Sequence, residues 1–111
     1  MKIQNNKIRL LINDDENKVI EFNPSDLRFA QKLKVMYDNL TNIKIESQDI
    51  DGLIKVCEII ENNIDELFGA GTSAMVFEGQ MDILLYHQFI NELIPYAQKA
   101  SEKRVAKYIN K

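Results

Sequence analysis

One stretch of the sequence repeats its apolar residues with the period of an α-helix over five turns, and this feature limits the possible folds most. The apolar residues recur at intervals of three or four positions: Ile50, Leu53, Ile54, Cys57, Ile60, Ile64, Leu67 and Phe68. The opposite face carries acidic residues, and Gly69 and Gly71 follow it, as glycines commonly follow a helix end. We therefore predict a helix over residues 50–68 that buries one face.

A β-hairpin is predicted over residues 7–22. Residues 7–12 and 18–22 are short runs with β-branched and aromatic side chains, and the polar residues 13–17 separate them. A lone hairpin is marginally stable in water, so we expect its apolar face to lie on helices. We interpret the acidic loop as a solvated turn instead of a metal loop, because no distant ligands accompany it.

A strong start signal precedes the first helix. Asn23 can cap it, Pro24 suits its first position, and Asp26 suits the positive end of the helix dipole. The predicted buried stripe holds five residues at helical spacing: Leu27, Ala30, Leu33, Tyr37 and Leu40. Together these signals place the first helix over about residues 24–42.

The second half of the chain predicts three more helices. Thr72 or Ser73 can cap a short helix over residues 73–78, which Gly79 ends. Residues 81–94 are apolar nearly all round, which is typical of a buried helix or of an interface. Pro95 either kinks this helix or starts another, and a weaker amphipathic pattern places the last helix over residues 96–109.

These elements fit a single domain over residues 1–111, because 111 residues is an ordinary length for one domain. Only two prolines and four glycines interrupt the chain, which favours long regular elements. The predicted fold is mainly α with a small N-terminal β-hairpin (α+β), a compact helical domain of four to five helices.

Charge is distributed unevenly along the chain. Residues 45–98 carry ten acidic residues against one lysine, a charge of −9, whereas residues 99–111 carry +4 and residues 1–44 carry +2. This asymmetry favours protein partners or head-to-tail self-contact. It disfavours nucleic acid, because phosphates would meet a repulsive central region.

The same composition predicts a cytoplasmic protein. Cys57 is the only cysteine, which excludes an intramolecular disulfide, and its apolar neighbours predict a small buried side chain. The first residues lack the apolar segment of a signal peptide, and no stretch of 18 apolar residues could cross a membrane.

Two segments resemble ligand-binding motifs. Residues 69–74 match the Gly-x-Gly-x-x-Ala form of a dinucleotide fingerprint, but an acidic helix precedes them where the fingerprint needs a strand, so a helix corner is expected. Residues 47–58 resemble a calcium-binding EF-hand loop. However, Ser47 stands at its first position and Lys55 at its ninth, which leaves calcium binding as the weaker alternative.

No catalytic, cofactor-binding or metal-binding residues are predicted. His87 is the only histidine and lacks a cluster of further ligands, so a structural role is expected. The adjacent carboxylates Asp65 and Glu66 point to different sides of a helix and are interpreted as solvated surface. We therefore expect a protein that is not an enzyme and needs no cofactor.

Several landmarks in order carry a resemblance to a known group of proteins. They are the strand followed by residues 23–27, residues 68–73 with Phe77, then Phe89, Pro95 with Tyr96, and residues 105–108. Their order resembles small proteins encoded in the tail modules of phages and prophages of low-GC Gram-positive bacteria, many regarded as tail assembly chaperones. One departure is residues 78–80, where the resemblance leads us to expect an acidic or asparagine-rich turn.

The resemblance implies a non-virion protein of the bacterial host cytoplasm. Such proteins bind and solubilise the tape measure protein during tail assembly and help to recruit tail tube subunits, and homo-oligomers are a further expectation. Two alternatives stay open: a structural tail or head–tail component of the virion, and a small regulatory adaptor that uses residues 47–58.

The residues suit binding of a polypeptide, because exposed apolar stripes bind amphipathic helices of a partner. The candidate protein-binding residues come from the short helix and from the apolar segment after it: Met75, Val76, Phe77, Met81, Leu85 and Phe89. The alternative is that these residues simply form the core, since a chain of this length needs them inside.

Overall fold

The structure, a computed structural model, describes residues 1–3, 5–44 and 49–109, and for residues 108 and 109 it describes the backbone alone. Two strands, β1 (Ile8–Leu11) and β2 (Val19–Phe22), precede four helices: α1 (Leu27–Thr41), α2 (Ile50–Phe68), α3 (Thr72–Phe77) and α4 (Ile83–Ile109). The predicted fold class, mainly α with a small N-terminal hairpin, is confirmed.

The hairpin alternates between a core face and a solvent face. Ile8 lies opposite Phe22 and Leu10 opposite Ile20, and these pairs face the helices. On the other face, Arg9 and Glu21 form an exposed ion pair at 3.6 Å. The loop begins with a 3-10 turn over Ile12–Asp14. Asn13 and Asp14 have positive φ angles there, which asparagine and aspartate tolerate better than most residues.

Helix α1 begins three residues later than predicted. The Asn23 side chain accepts a hydrogen bond from the Ser25 N–H at 2.9 Å, so it forms a local turn around Pro24 instead of capping the helix. Asp26 is the actual N-cap, and its carboxylate accepts from the Arg28 N–H at 2.9 Å.

The buried face of α1 also differs from the predicted stripe. Leu27 and Tyr37 are 66% and 53% exposed, whereas Met36 is buried and Phe29 packs against the core. Phe29, Leu33, Met36 and Leu40 form the actual inner stripe, which has the same helical spacing as the predicted one.

Helix α2 occupies the predicted range and forms the centre of the core. Five of its residues are buried: Val56, Cys57, Ile60, Ile64 and Leu67. The Asp49 carboxylate caps its first turn by accepting from the Gly52 N–H at 2.8 Å. Its end falls at Gly69, whose φ of +118° favours glycine.

The corner between α2 and α3 depends on the side chain of Asp65, which the sequence analysis interpreted as solvated surface. Asp65 is partly buried, and its carboxylate accepts from the Ser73 N–H at 2.7 Å and from the Ser73 hydroxyl at 3.0 Å. The N-cap of α3 is Gly71, so neither Thr72 nor Ser73 caps the helix as predicted. Instead, Asp65 supplies the cap from the preceding helix.

Replacing Asp65 with alanine is expected to lower the free energy of unfolding by about 1–2 kcal/mol, because the N–H and hydroxyl of buried Ser73 both lose their acceptor. Urea denaturation monitored by circular dichroism measures the change. Glu66→Ala is the matched control, since this neighbouring carboxylate is exposed and its loss should stay within about 0.5 kcal/mol. Equal losses in the two variants would show that the corner does not depend on Asp65.

Helix α4 is continuous through Pro95, which corrects the prediction of two helices, 81–94 and 96–109. A proline ring removes one backbone hydrogen bond and opposes a straight helix. The helix continues because Leu93 before the proline, and Tyr96 and Ala100 after it, pack against the rest of the protein.

An aromatic cluster joins the hairpin to the helices. The ring of Phe22 lies 5.3 Å from Phe29, 5.8 Å from Phe68 and 5.7 Å from Tyr96, so one strand residue contacts α1, α2 and α4.

The protein measures 54 × 33 × 19 Å, and its smallest dimension is about two helix diameters. Among the described residues, no helix combines the length and the hydropathy that a membrane crossing requires.

Candidate functional site

Two open grooves lie along different faces of α4 and share Asn91 and Leu93 among their lining residues. The first, which we call the hairpin groove, has a volume of about 750 Å³ and lies between the hairpin, α3 and α4. The second, the α1–α4 groove, consists of two adjoining cavities of about 320 and 390 Å³ that share Tyr37, Ile90 and Ile94. These grooves are the candidate binding sites of the chain.

The hairpin groove brings together four of the six predicted protein-binding residues: Val76, Phe77, Leu85 and Phe89. Phe77 and Phe89 are only 4% and 8% exposed, so these two are core residues and do not present a binding surface of their own. The hairpin supplies the opposite wall with Leu10, Leu11 and Ile12, which the sequence analysis did not predict as binding residues.

The remaining two predicted residues lie elsewhere. Met75 packs partly buried against the core, and Met81 is 47% exposed just before α4. Neither lines the hairpin groove or the α1–α4 groove. The predicted set therefore does not form one continuous surface.

The α1–α4 groove is the more apolar of the two. Its wall and floor are formed mainly by apolar side chains from α1, α2 and α4, including Leu33, Leu40, Ile60 and Ile83. Tyr37 stands on its rim because the inner stripe of α1 turns Phe29 and Met36 toward the core instead. The sequence pattern missed this groove by assigning Tyr37 to the buried face.

The length of this groove is set by the part of α4 that lines it. Apart from Arg104, the lining residues of α4 extend from Ile83 to Gln98, a span of about 22 Å at 1.5 Å per residue. At one end, the Arg104 guanidinium donates to the carbonyl oxygen of Pro24 at 3.1 Å and joins α4 to the start of α1. The groove can therefore accommodate about four turns of a further helix.

The rim of the α1–α4 groove carries polar groups of both signs. Lys34 and Asp38 lie on the α1 side, and exposed His87 lies on the α4 side. Charged rims around an apolar floor are the usual arrangement of a surface that binds polypeptide. His87 thus lies at a groove edge, and the part of the chain that the structure describes holds no group of three His, Cys, Asp or Glu side chains suited to a metal.

A buried polar cluster fixes α4 on α2 beneath this groove. The Tyr86 side chain is 1% exposed, and its hydroxyl donates to the Glu61 carboxylate at 2.5 Å. Burial, together with this hydrogen bond and the Glu61 charge, raises the pKa of Tyr86 far above its usual value. Burial likewise raises the pKa of the neighbouring Cys57 thiol, so the thiol stays protonated and unreactive at neutral pH.

The two ligand-like motifs have no ligand-binding geometry in the described residues. Residues 69–74 form the corner between two helices, without the strand that a dinucleotide fingerprint requires. In the EF-hand-like segment, residues 50–58 belong to α2 and cannot wrap around a cation. Its first two residues, 47 and 48, lie outside the described residues.

Comparison with known proteins places the chain in a family. Residues 16–111 match the family described as a family of unknown function (DUF6673). No curated protein and no solved structure matches the chain. The matched range contains every residue that lines the α1–α4 groove. Since the match covers most of its length, the chain belongs to the DUF6673 family.

Proposed function

We propose that this protein is a non-catalytic chaperone of phage or prophage tail assembly, and that it holds an amphipathic helix of the tape measure protein in the α1–α4 groove. The resemblance described above suggests the client. The observation that carries the proposal is the groove itself, an apolar floor about four helical turns long that is open to solvent.

The groove has the shape that helix recognition requires. Helices α1 and α4 run antiparallel along its two sides, and α2 contributes Val56 and Ile60 to the floor. A client helix laid between them would complete a bundle and bury its own apolar face. Rim groups of both signs would accept client segments that differ in charge.

The acidic middle of the chain supports the same role. Glu58 and Glu66 on α2 are exposed, and residues 45–98 carry a charge of −9. Several copies bound along a long apolar client would give the complex a high negative charge in the cytoplasm of the host. Mutual repulsion would keep such complexes soluble until tail tube subunits replace the chaperone.

Co-expression with a phage tape measure protein tests the proposal directly. We expect the client to remain soluble and to co-purify with the chaperone. A client that stays insoluble and fails to co-purify would contradict the proposed function.

Tyr37→Glu is expected to weaken client binding at least about tenfold, because it places a charge on the rim of the apolar groove that the client helix covers. Val35→Glu is the matched control, since Val35 is also about half exposed on α1 but lies outside the groove. Pull-down of the co-expressed client measures both. Equal loss in the two variants would place the client elsewhere.

A structural component of the virion is the competing function. Mass spectrometry of purified virions distinguishes the two, because an assembly chaperone leaves the particle before it is complete. Stoichiometric amounts of the protein in finished virions would support the structural role instead.

A further inference from the structure

The rim of the hairpin groove is acidic. Glu78 and Glu92 line it, and no lysine or arginine is found among its lining residues in the described part of the chain. Glu92 is exposed, and Glu78 forms an ion pair with Lys18, which lies just before β2. Because Lys18 offsets the charge of Glu78, Glu92 is the acidic group that would offer complementary charge to an occupant with a basic surface.

The end of α4 is a basic helix segment with little support from its own chain. Residues 99–107 carry four basic residues against one acidic residue. From Ser101 to Lys107 every side chain except Arg104 is exposed, including Val105 at 47%. A few helical turns without packing are marginally stable in water, so docking this segment against a partner would stabilise it.

This segment cannot reach the hairpin groove of its own chain. The groove is lined by α4 residues between Leu85 and Tyr96, and the basic segment continues the same helix beyond them. Lys103 lies 11 residues after Glu92, about 16 Å further along the axis, so a continuous helix carries it away from the groove. Only a second copy can present the segment to this surface.

We propose that the basic end of α4 in one copy, residues 99–107, docks in the acidic hairpin groove of a second copy. The two surfaces lie at different places on each copy, so the contact is head-to-tail and extends into chains or closes into rings. Of the docking segment, Arg104 alone among the described residues lines the α1–α4 groove, so most of that groove stays free. The contact does not depend on the proposed client.

Two charge-reversal variants test this contact. Lys103→Glu with Lys107→Glu blocks the basic end, and Gln88→Lys with Glu92→Lys blocks the groove; all four side chains are exposed, and circular dichroism checks that both variants keep their helices. In sedimentation velocity at low salt, the wild type is expected to form species larger than a dimer as its concentration rises. Each variant alone is expected to stay monomeric.

The decisive sample is an equal mixture of the two variants. One supplies an intact groove and the other an intact basic end, so the mixture is expected to form dimers and nothing larger. Raising the salt concentration to about 1 M, where the Debye length falls to about 3 Å, should raise the dissociation constant of these dimers at least tenfold. Lys32→Glu with Lys55→Glu reverses two exposed charges outside both surfaces and should associate like the wild type.

Three results would overturn the inference. They are a wild type that remains monomeric at every concentration, a variant mixture that does not dimerise, and a control double variant that loses association as fully as the other two. Cross-linking gives a second measurement in a Cys57→Ala background. Copies carrying Gln88→Cys and copies carrying Lys103→Cys should form a disulfide-linked dimer when mixed, and its absence would also contradict the contact.

Discussion

Phe22→Ala is expected to lower the free energy of unfolding by about 3–5 kcal/mol, the largest effect of any single substitution in the hairpin. The Phe22 ring is 6% exposed and lies between Phe29, Phe68 and Tyr96, one from each of three helices. Truncation leaves a cavity where the hairpin meets the helices. A two-stranded hairpin without this anchor has little stability of its own.

Urea denaturation followed by circular dichroism measures this loss, and proton resonances of the hairpin report whether it stays docked. Leu11→Ala is the control, because Leu11 also lies in β1–β2 but is 39% exposed and should cost below about 1 kcal/mol. A Phe22→Ala protein as stable as the Leu11→Ala protein would show that the aromatic cluster does not hold the hairpin.

The stability of the wild type is expected to fall by about 1.4 kcal/mol per pH unit above pH 10 through Tyr86 alone. Burial and the Glu61 carboxylate raise the pKa of Tyr86 in the folded state, whereas an unfolded tyrosine ionises near pH 10. The contribution is therefore fully present below pH 10 and is lost as the pH rises above it. The raised pKa of Cys57 adds a loss of the same sign.

Tyr86→Phe removes the ionising hydroxyl and isolates this effect. At pH 7 the variant should be less stable than the wild type by about 1.5 kcal/mol, because it lacks the hydrogen bond to Glu61. Since phenylalanine cannot ionise, the two stabilities should converge near pH 11. Tyr37→Phe, on a half-exposed ring, is the control, and at pH 7 it should cost less than about 0.5 kcal/mol.

Chemical denaturation at a series of pH values from 7 to 11 gives the free energy of unfolding of the wild type and of Tyr86→Phe as a function of pH. A difference between the wild type and Tyr86→Phe that remains constant up to pH 11 would show that the Tyr86 hydroxyl is not held neutral in the folded state.

The range of helix α2 could be predicted to the residue, but its buried stripe only in part, because Ile50 and Ile54 are 75% and 36% exposed and Val56 is buried instead. The apolar period is uninterrupted, and a glycine with positive φ stops it at Gly69. The buried face of helix α1 could not be predicted from its apolar period alone. Leu27, Ala30, Leu33, Tyr37 and Leu40 and the actual stripe of Phe29, Leu33, Met36 and Leu40 share a helical period, and only contacts with the rest of the protein choose between them.

The start of α1 and the middle of α4 show why local rules failed. At Asn23 two hydrogen-bonding roles competed, a helix cap and a local turn, and the turn formed. At Pro95 the cost of one missing helical hydrogen bond was offset by packing on both sides of it. Neither outcome depends on short-range sequence alone.

The candidate sites were only partly predictable for a related reason. Residues 81–94 are apolar nearly all round. This pattern indicated an interface, but it could not show which side of the helix faces the core and which side faces a groove. The fold divides that apolar surface, with Leu85 in the hairpin groove, Ile90 in the α1–α4 groove and Leu93 in the core. The hairpin and α1 make this division, and both are distant from α4 in sequence.

The 19 Å thickness of the protein has a thermodynamic consequence. In a slab two helices thick, even Tyr86, which is 1% exposed, lines the α1–α4 groove, so an added helix on either flank would enlarge the interior itself. Anything that binds only the native state raises the melting temperature according to its concentration and dissociation constant. Thermal denaturation can therefore serve as a simple screen for whatever fills these flanks.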